Sequence, residues 1–467
     1  MDESDNSFDL IVIGGGPAGV IGTTTAASCG KRVALIDNHP ELGGAGTNTG
    51  TVPSKTLRET ALAFSGMRSR DLYGVDLSLR REASVGDFLR HQRSVKAAFN
   101  TDLAQRMVAC RAAVFLGTAA FEDAHTVRVD DKRLRGEYIL IATGSSPVRP
   151  PEFPFGCCEI YDSDTILNLD RLPESMAVIG CGTIGSEYAC TFTALGTKVH
   201  LIDGRDVLMP FLDAELSRAL TGAMERNGIV FRWKQRVASY AATSSGGVRV
   251  TLVSGEAIEV SAVLIAAGRQ SNVGTLNLAA AGVASGARGI IPVDDRYRTN
   301  VPHILAAGDV IGFPALASTS MEQGRRAVRW AFQEDYSCSA QRLLPTGVYT
   351  IPEASMVGET EESLKRAGID YVVGRGLYNS SARGRIIGDT EGFLKLIFRR
   401  ADMKLLGVHV IGEQATELVH VGLMAMMTDM GVELLEATCF NVPTLGTLYK
   451  TASLDAMAAA LRRPGPG

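Results

Sequence analysis

No two cysteines in this chain are spaced as CxxC or CxxxxC, so the sequence lacks the close-set dithiol through which many redox proteins pass electrons. The eight cysteines, Cys29, Cys110, Cys157, Cys158, Cys181, Cys190, Cys338 and Cys439, are scattered. Adjacent Cys157 and Cys158 are poorly placed for an unstrained mutual bridge. In a reducing compartment all eight are expected to be buried free thiols. The seven histidines show no HxxxH spacing, and no metal is assigned. No apolar run approaches the ~20 residues that span a bilayer. A formal net charge of -4 with no basic block leaves no electrostatic footprint for nucleic acid or an anionic membrane surface, so neither is expected as a partner. Met1 to Phe8 is acidic and polar and runs into a strand, which reads as neither signal nor transit peptide, and a cytoplasmic location is expected. With 45% hydrophobic and 21% charged residues the composition is that of a folded globular protein. At ~150 residues per domain the chain is long enough for about three cores.

What is present is glycine in two patterned clusters. The apolar run Asp9 to Ile13 leads into Gly14-Gly15-Gly16-Pro17-Ala18-Gly19, then a small-residue helix, then a strand from Arg32 to Ile36 that ends at Asp37. Met176 to Ile179, Gly180-Cys181-Gly182-Thr183-Ile184-Gly185, a helix, and Lys198 to Ile202 ending at Asp203 repeat the unit. In both, the acid stands 23 positions after the first glycine, close to the ~20 expected of a ribose contact. The first glycine makes a tight turn, the second admits a pyrophosphate, and the third lets helix and strand pack closely. The helix N-terminus offers unpaired amides and a positive dipole end to the phosphates. One GxGxxG is weak evidence; two complete strand, turn, helix, strand, acid units predict two dinucleotide sites.

Short apolar strands Ile139 to Gly144 and Val263 to Gly268 lead into apparent turns at Ser145-Ser146-Pro147 and Arg269-Gln270-Ser271. A third, Ile304 to Gly308, ends in Asp309. From about Leu343 an antiparallel pattern begins, with helices over Glu359 to Ala367 and Ala415 to Gly431. The tail from Arg462 to Gly467 is expected to be disordered.

These landmarks resemble the pyridine nucleotide-disulfide oxidoreductase family, the group of glutathione reductase, lipoamide dehydrogenase and mercuric reductase. The likeness extends to Ala142-Thr143-Gly144, Gly268-Arg269, Ala307-Gly308-Asp309, and Tyr349-Thr350-Ile351-Pro352-Glu353 with Val357-Gly358. It implies an α/β protein with two Rossmann-like domains: an FAD-binding domain over 1–150, an NAD(P)-binding domain over 151–271, the return of the FAD domain over 272–342, and an α+β interface domain over 343–467 that makes a homodimer. Tyr161-Asp162-Ser163-Asp164, Gly308 to Pro314 and Pro345 to Pro352 are most similar to the soluble pyridine nucleotide transhydrogenase group of that family.

By the resemblance, Gly14, Gly16, Gly19, Asp37, Gly44, Thr143, Gly144 and Asp309 hold FAD, with Asp309 on the ribityl chain. Gly180, Gly182, Gly185, Asp203, Arg205 and Gly268 hold the nicotinamide nucleotide. Lys55 resembles the lysine near flavin N5, where a cation stabilises negative charge on reduced flavin, and Glu187 resembles its ion-pair partner. The family stretch GGxCxxxGCxPSK appears as Gly43-Gly44-Ala45-Gly46-Thr47-Asn48-Thr49-Gly50-Thr51-Val52-Pro53-Ser54-Lys55, with Gly46 and Thr51 where the thiols would stand. Without a thiolate the disulfide reductase chemistry is excluded. Thr51 keeps a hydroxyl for the flavin, or caps a helix start. The HPTxxE element reads Val442-Pro443-Thr444-Leu445-Gly446-Thr447, so its acid-base pair is gone. The transhydrogenases keep that glutamate, and Thr447 departs from them.

The expected course is hydride transfer from nicotinamide C4 to flavin N5, followed by return to a second pyridine nucleotide in the same pocket. The alternatives are an NAD(P)H dehydrogenase that reduces a quinone, dye or small specialised substrate in the space vacated by the thiols and histidine, and a non-enzymatic nucleotide sensor, against which Lys55 and Glu187 argue. Asp203 favours NAD(H) by accepting from a ribose 2'-hydroxyl, while Arg205 is able to receive a 2'-phosphate. NADH is therefore expected to bind at least as well as NADPH. Steady-state kinetics test this, and a Michaelis constant for NADH more than about tenfold above that for NADPH contradicts it.

Overall fold

A computed structural model of the chain describes residues 6–65, 84–153, 155, 159–244, 246–333 and 343–462. Cys157, Cys158, Cys338 and the tail beyond Arg462 lie outside the described residues. No helix among the described residues is long and apolar enough to cross a membrane.

The first sheet grows around Ser7–Ile13, which pairs in parallel with Val33–Asp37 on one side and Lys132–Ile141 on the other. Ala113–Leu116 extends it beyond Val33–Asp37, and Ile304–Ala306 returns from far along the chain to lie parallel to Lys132–Ile141. Leu10, Ile11, Val12, Leu35 and Leu140 are fully buried, each worth about 1.5–3 kcal/mol of removed apolar surface, because helices cover this sheet. One such cover is the packing of Pro17–Ser28 against Ala317–Phe332, where a Cβ on Gly324 would stand 2.2 Å from the Ala18 carbonyl oxygen. Only glycine permits that approach.

A second sheet, all parallel, runs in the order Val230–Trp233, Lys198–Asp203, Ser175–Ile179, Ala262–Ile265, Ile160–Asp162. A three-stranded antiparallel sheet, Val237–Ala242, Val248–Leu252 and Ala257–Val260, adjoins it. The third region is the antiparallel sheet Thr346–Val348, Ala354–Gly358, Leu405–Ile411, Phe393–Arg399, Tyr371–Leu377, covered by Ala415–Met427 and Thr447–Leu461.

Three expectations need correction. The supposed turns at residues 145–147 and 269–271 are the two strands of an antiparallel ribbon, with Ser145 opposite Ser271 and Pro147 opposite Arg269. Each segment leaves a different sheet and finds its partner more than a hundred residues away, a pairing that local turn residues do not reveal. The helix expected over Ala415 to Gly431 stops at Met427: the Thr428 hydroxyl donates to the Ala425 carbonyl at 2.8 Å, Asp429 turns left-handed at φ 54°, and Val432–Ala437 begins anew. Of the five described cysteines, all free, only Cys181 and Cys190 are buried; Cys439 is exposed beyond the end of Val432–Ala437.

The second and third regions are locked by charge. Lys395, 1% exposed on the interior strand Phe393–Arg399, donates to Asp213 at 2.8 Å and Glu361 at 2.6 Å and pairs with Glu215 at 3.0 Å. Asp213 also caps the helix Ala214–Arg226, and Arg375 grips Glu215 through two bonds of 2.8 Å. Burial opposes ionisation of the three carboxylates, but the hydrogen bonds from Lys395, joined at Glu215 by Arg375, hold them below their ordinary range. Burial likewise opposes the Lys395 ammonium, which its carboxylates nevertheless hold above its usual value. The carboxylates' contribution to stability is present above about pH 4 and lost as pH falls through their lower folded values, while that of Lys395 is present below about pH 10 and lost as pH rises past its folded value. Lys395→Ala strands a buried Asp213 and should cost about 3–5 kcal/mol, read near neutral pH as a lower denaturant midpoint; a loss under about 1 kcal/mol refutes the lock.

Candidate active site

The first turn is shaped by contacts that leave no room for side chains. Gly14 has φ 106°, and a Cβ there would lie 2.4 Å from the Ala142 carbonyl oxygen. A Cβ on Gly19 would lie 1.8 Å from the Gly14 oxygen, so helix and strand touch. The helix Pro17–Ser28 starts with proline at its head and no side-chain cap, which leaves its first amides directed outward. Gly44, φ 51°, backs onto Gly16, where a Cβ would meet the Gly16 Cα at 2.9 Å, and Gly43 N donates to Gly15 O at 2.7 Å. The edge formed by Gly16 and Gly44 is thus bare backbone. Asp37 accepts one amide on each oxygen, Gly15 N at 2.5 Å and His39 N at 2.8 Å.

Further along the same sheet edge stand Thr143, Gly144 and Asp309. Thr143 Oγ1 is buried with no protein partner, and Gly144 turns the chain at φ 66°. Asp309 accepts from Ser145 Oγ at 2.8 Å, and Ser145 Oγ in turn accepts from Arg269 Nε at 2.7 Å. An orphaned buried hydroxyl, a carboxylate and a side-chain-free turn on one edge fit the polar tether and diphosphate of a bound dinucleotide.

The second turn repeats the close contacts. Gly180 has φ 107° and faces the Ala266 oxygen, a Cβ on Gly185 would stand 2.0 Å from Gly180 O, and Gly182 has open space on its Cβ side. Thr183–Ala194 begins there, again without a side-chain cap. Gly268, φ 109°, follows Ala262–Ile265. Asp203 differs from Asp37: Cys181 N donates to it at 2.8 Å, and Arg205 gives it three bonds, from the backbone amide and Nε at 2.9 Å each and from Nη2 at 2.7 Å. Burial opposes its ionisation, but these bonds outweigh that and pull its pKa down to about 2.

Glu187, on the second turn of Thr183–Ala194, reaches out of that region to Lys55. Lys55 Nζ donates to Glu187 Oε2 at 2.6 Å, and Tyr349 N donates to Glu187 Oε1 at 2.9 Å. The ammonium also lies 4.9 Å from the centroid of the Tyr349 ring. Glu187 is 7% exposed and Lys55 26%, so the carboxylate is enclosed while the cation opens on a cavity of about 300 Å³. Arg58, Glu353, Thr416 and Glu417 line the same cavity, and no cysteine among the described residues does. Arg58 is itself pinned, donating to Thr350 O at 3.0 Å and pairing with Glu353 at 3.3 Å. Burial raises the Tyr349 hydroxyl above its ordinary pKa.

The residues singled out by the sequence therefore fall into two glycine turns with their acids, the sheet edge of Thr143, Gly144 and Asp309, and one ion pair. Gly46 lies in the short helix Gly44–Asn48 and Thr51 is the exposed first residue of Thr51–Ser65, one turn before Lys55. Cys190 is buried beneath this region, and that burial pushes its thiol up to about 12, so it stays protonated. Val442 is 74% exposed, and the Thr447 hydroxyl is turned back onto the Thr444 carbonyl at 2.8 Å. Sequence patterns alone do not mark Tyr349, Arg58 and Glu353 as site residues. Signals are present nonetheless: Arg58 stands three positions after Lys55 on one helix face, and Tyr349 and Glu353 bound the Tyr-Thr-Ile-Pro-Glu segment.

A family model described as pyridine nucleotide-disulphide oxidoreductase matches residues 8–324, and that family's dimerisation domain matches residues 344–453. A soluble pyridine nucleotide transhydrogenase of Mycobacterium tuberculosis is 43% identical over 96% of this chain and 97% of its own length. One of Pseudomonas putida is 38% identical over 97% and 98%. Among solved structures, the HOCl-induced flavoprotein disulfide reductase RclA from Escherichia coli superposes with a TM-score of 0.86 at 26% identity, covering 96% of this chain and 99% of that one. LpdA from Mycobacterium tuberculosis superposes with a TM-score of 0.87 at 27% identity over 95% and 99%.

Proposed function

The chain belongs to the pyridine nucleotide-disulphide oxidoreductase family and is an FAD-dependent NAD(P)H oxidoreductase; from that premise we propose that it is a transhydrogenase, moving hydride between pyridine nucleotides, and not a disulfide reductase. FAD, when bound, supplies a carrier that takes hydride from one nicotinamide and yields it to another. Gly14, Gly16, Gly19 and Gly44 would hold its diphosphate, Asp37 its ribose, and Thr143, Gly144 and Asp309 its ribityl portion. Gly180, Gly182, Gly185, Arg205 and Gly268 would hold the nicotinamide nucleotide, with Asp203 fixing Arg205 beside it.

The observation that carries the proposal is the pair Lys55–Glu187 at 2.6 Å beside a cavity with no thiol in its lining. The enclosed carboxylate fixes the ammonium in place, and a fixed cation favours negative charge developing next to it. Such a group helps hydride arrive and lets it leave, so it serves both halves of a ping-pong exchange. Gly46 and Thr51 offer no sulfur to carry electrons elsewhere, and buried Cys190 holds its proton. Thr51, exposed at the head of its helix, is a candidate hydroxyl donor to the cofactor. The relatives named as soluble transhydrogenases support the same reading.

We read residues 1–150 and 272–342 as one FAD unit, since Ile304–Ala306 rejoins the first sheet, 151–271 as the nucleotide unit, and 343–467 as the interface unit of a homodimer. Exposed Val421, Met424 and Met427 on Ala415–Met427, with Leu454 and Met457 on Thr447–Leu461, give that unit an apolar face for a second copy. A second reading rests on Val442: an exposed apolar residue where the family has histidine, near Gly446, suits an apolar acceptor such as a quinone.

Anaerobic NADPH should bleach the flavin, and NAD+ or its thionicotinamide analogue should restore the colour within the turnover time, while menadione should act more slowly. Restoration by quinone alone removes the transhydrogenase reading. Lys55→Met should slow bleaching about a hundredfold without loss of bound FAD, measured by stopped flow; an unchanged rate removes the role given to the pair.

A further inference from the structure

The two acids at spacing 23 are in different chemical states. A carboxylate has about four acceptor sites. Asp37 has two amides on it and two sites left for a ribose diol. Asp203 already accepts four bonds, from Cys181 N and from Arg205 N, Nε and Nη2. A ribose hydroxyl approaching Asp203 would have to displace one of them.

The surroundings of Asp203 supply a different partner for the 2' position. Val230–Trp233 lies parallel to Lys198–Asp203 with Trp233 opposite Asp203, so both strands end on the edge where nucleotides dock in open α/β sheets. Just beyond, Lys234 N donates to Arg205 O and Gln235 N to Asp203 O, each at 3.0 Å, which ties the two loops together. That tie carries Arg236 back across Gly204: a Cβ on Gly204 would stand 3.0 Å from Arg236 Nε and 3.7 Å from its Nη2. Arg236 is exposed, and its guanidinium has no carboxylate partner among the described residues. The neighbouring charges are compensated, Arg205 by Asp203 at 2.7 Å and Lys234 by Asp206 at 3.0 Å. One uncompensated, fork-shaped cation is left at the end of the strand.

We propose that Arg236, reaching over Gly204 from the neighbouring loop, is the residue that recognises the 2'-phosphate of NADP(H), with Arg205 beside it and Asp203 withdrawn from ribose recognition by its bonds to Arg205. This rests on the reading of the second glycine turn as the nicotinamide nucleotide site. A guanidinium offers a phosphate two parallel donors, whereas NAD(H), with a hydroxyl there, leaves Arg236 in water at little cost. The one site thus admits both nucleotides, as an exchange between them requires, and Arg236 sets their ratio. Arg205 is a poorer test of the idea, because removing it also frees Asp203.

The test uses the FAD-loaded full chain, with ADP and 2',5'-ADP as competitors of NADH. Arg236→Ala should weaken 2',5'-ADP and raise the Michaelis constant for NADPH about tenfold, with ADP, NADH and both turnover numbers within about twofold of wild type. Arg236→Lys, which keeps the charge, should recover most of the loss. Equal weakening of ADP and 2',5'-ADP would mark a structural role and overturn the proposal, as would an unchanged affinity for 2',5'-ADP. If neither analogue competes on the wild-type enzyme, the second turn is not the nucleotide site and both readings fall. If ADP competes and Arg236→Ala is indifferent, only the present one does.

Discussion

One carboxylate holds the site together. Glu187 places one oxygen on the Lys55 ammonium and the other on the Tyr349 amide, and so joins to its own helix two parts of the chain that are 132 and 162 residues from it. Around it, Arg58 and Asn227 seize the carbonyls of Thr350 and Ile351 at 3.0 and 2.9 Å. The segment from Tyr349 to Glu353 is therefore a strap fastened from both sides before it enters Ala354–Gly358. An enclosed carboxylate is costly to strand, and here both of its oxygens are used, so the geometry around Lys55 is over-determined. A group that must meet developing charge without reorganising needs that rigidity.

The Lys395 cluster does comparable work farther out. Well-packed apolar side chains would make the same contact as stably, and without the desolvation cost of a buried Lys395 and Asp213 with two half-buried glutamates. What the charges add is a single register: Lys395 satisfies Asp213 only when the cap of Ala214–Arg226 faces the centre of the third sheet, and Arg375 satisfies Glu215 only in that same position. Since Glu187 crosses the same junction, a slip at Lys395 would be felt at Lys55. The Lys395 cluster and the Lys55–Glu187 pair are in this sense one assembly.

Much of this was legible in the residues. Two glycine turns, their acids and the strands around them follow from local steric rules, because a left-handed glycine and a close helix approach leave no choice of residue. Lys55 and Glu187 could be picked from their offsets to those turns. The ribbon between residues 145–147 and 269–271 could not, since its pairing is set by where two sheets end and not by its own serines and proline. Nor could the strap as a whole, since Asn227 carries no motif and both anchors hold it through backbone carbonyls, with Arg58 adding an ion pair to Glu353. The exposed Cys439 and the early end of Ala415–Met427 were lost for a smaller reason: composition predicts average burial, and a single threonine turned onto a carbonyl ends a helix that hydrophobic periodicity would continue.

Asp37 and Asp203 show where spacing stops being informative. Each stands 23 positions from its glycine, each ends a parallel strand, and each takes an amide of its own turn, Gly15 or Cys181. They part at the next residues. Asn38-His39 returns one amide to Asp37, whereas Gly204-Arg205 returns an amide and a guanidinium to Asp203, and the bare Gly204 lets a second guanidinium lie across the backbone. Under the proposed reading the motif marks where a dinucleotide lies, and two or three residues beyond it set which one. A tightly held cofactor and an exchanging substrate can thus share one architecture, because the acid that is open to a diol and the acid that is closed by arginine differ only in the residues next along the chain.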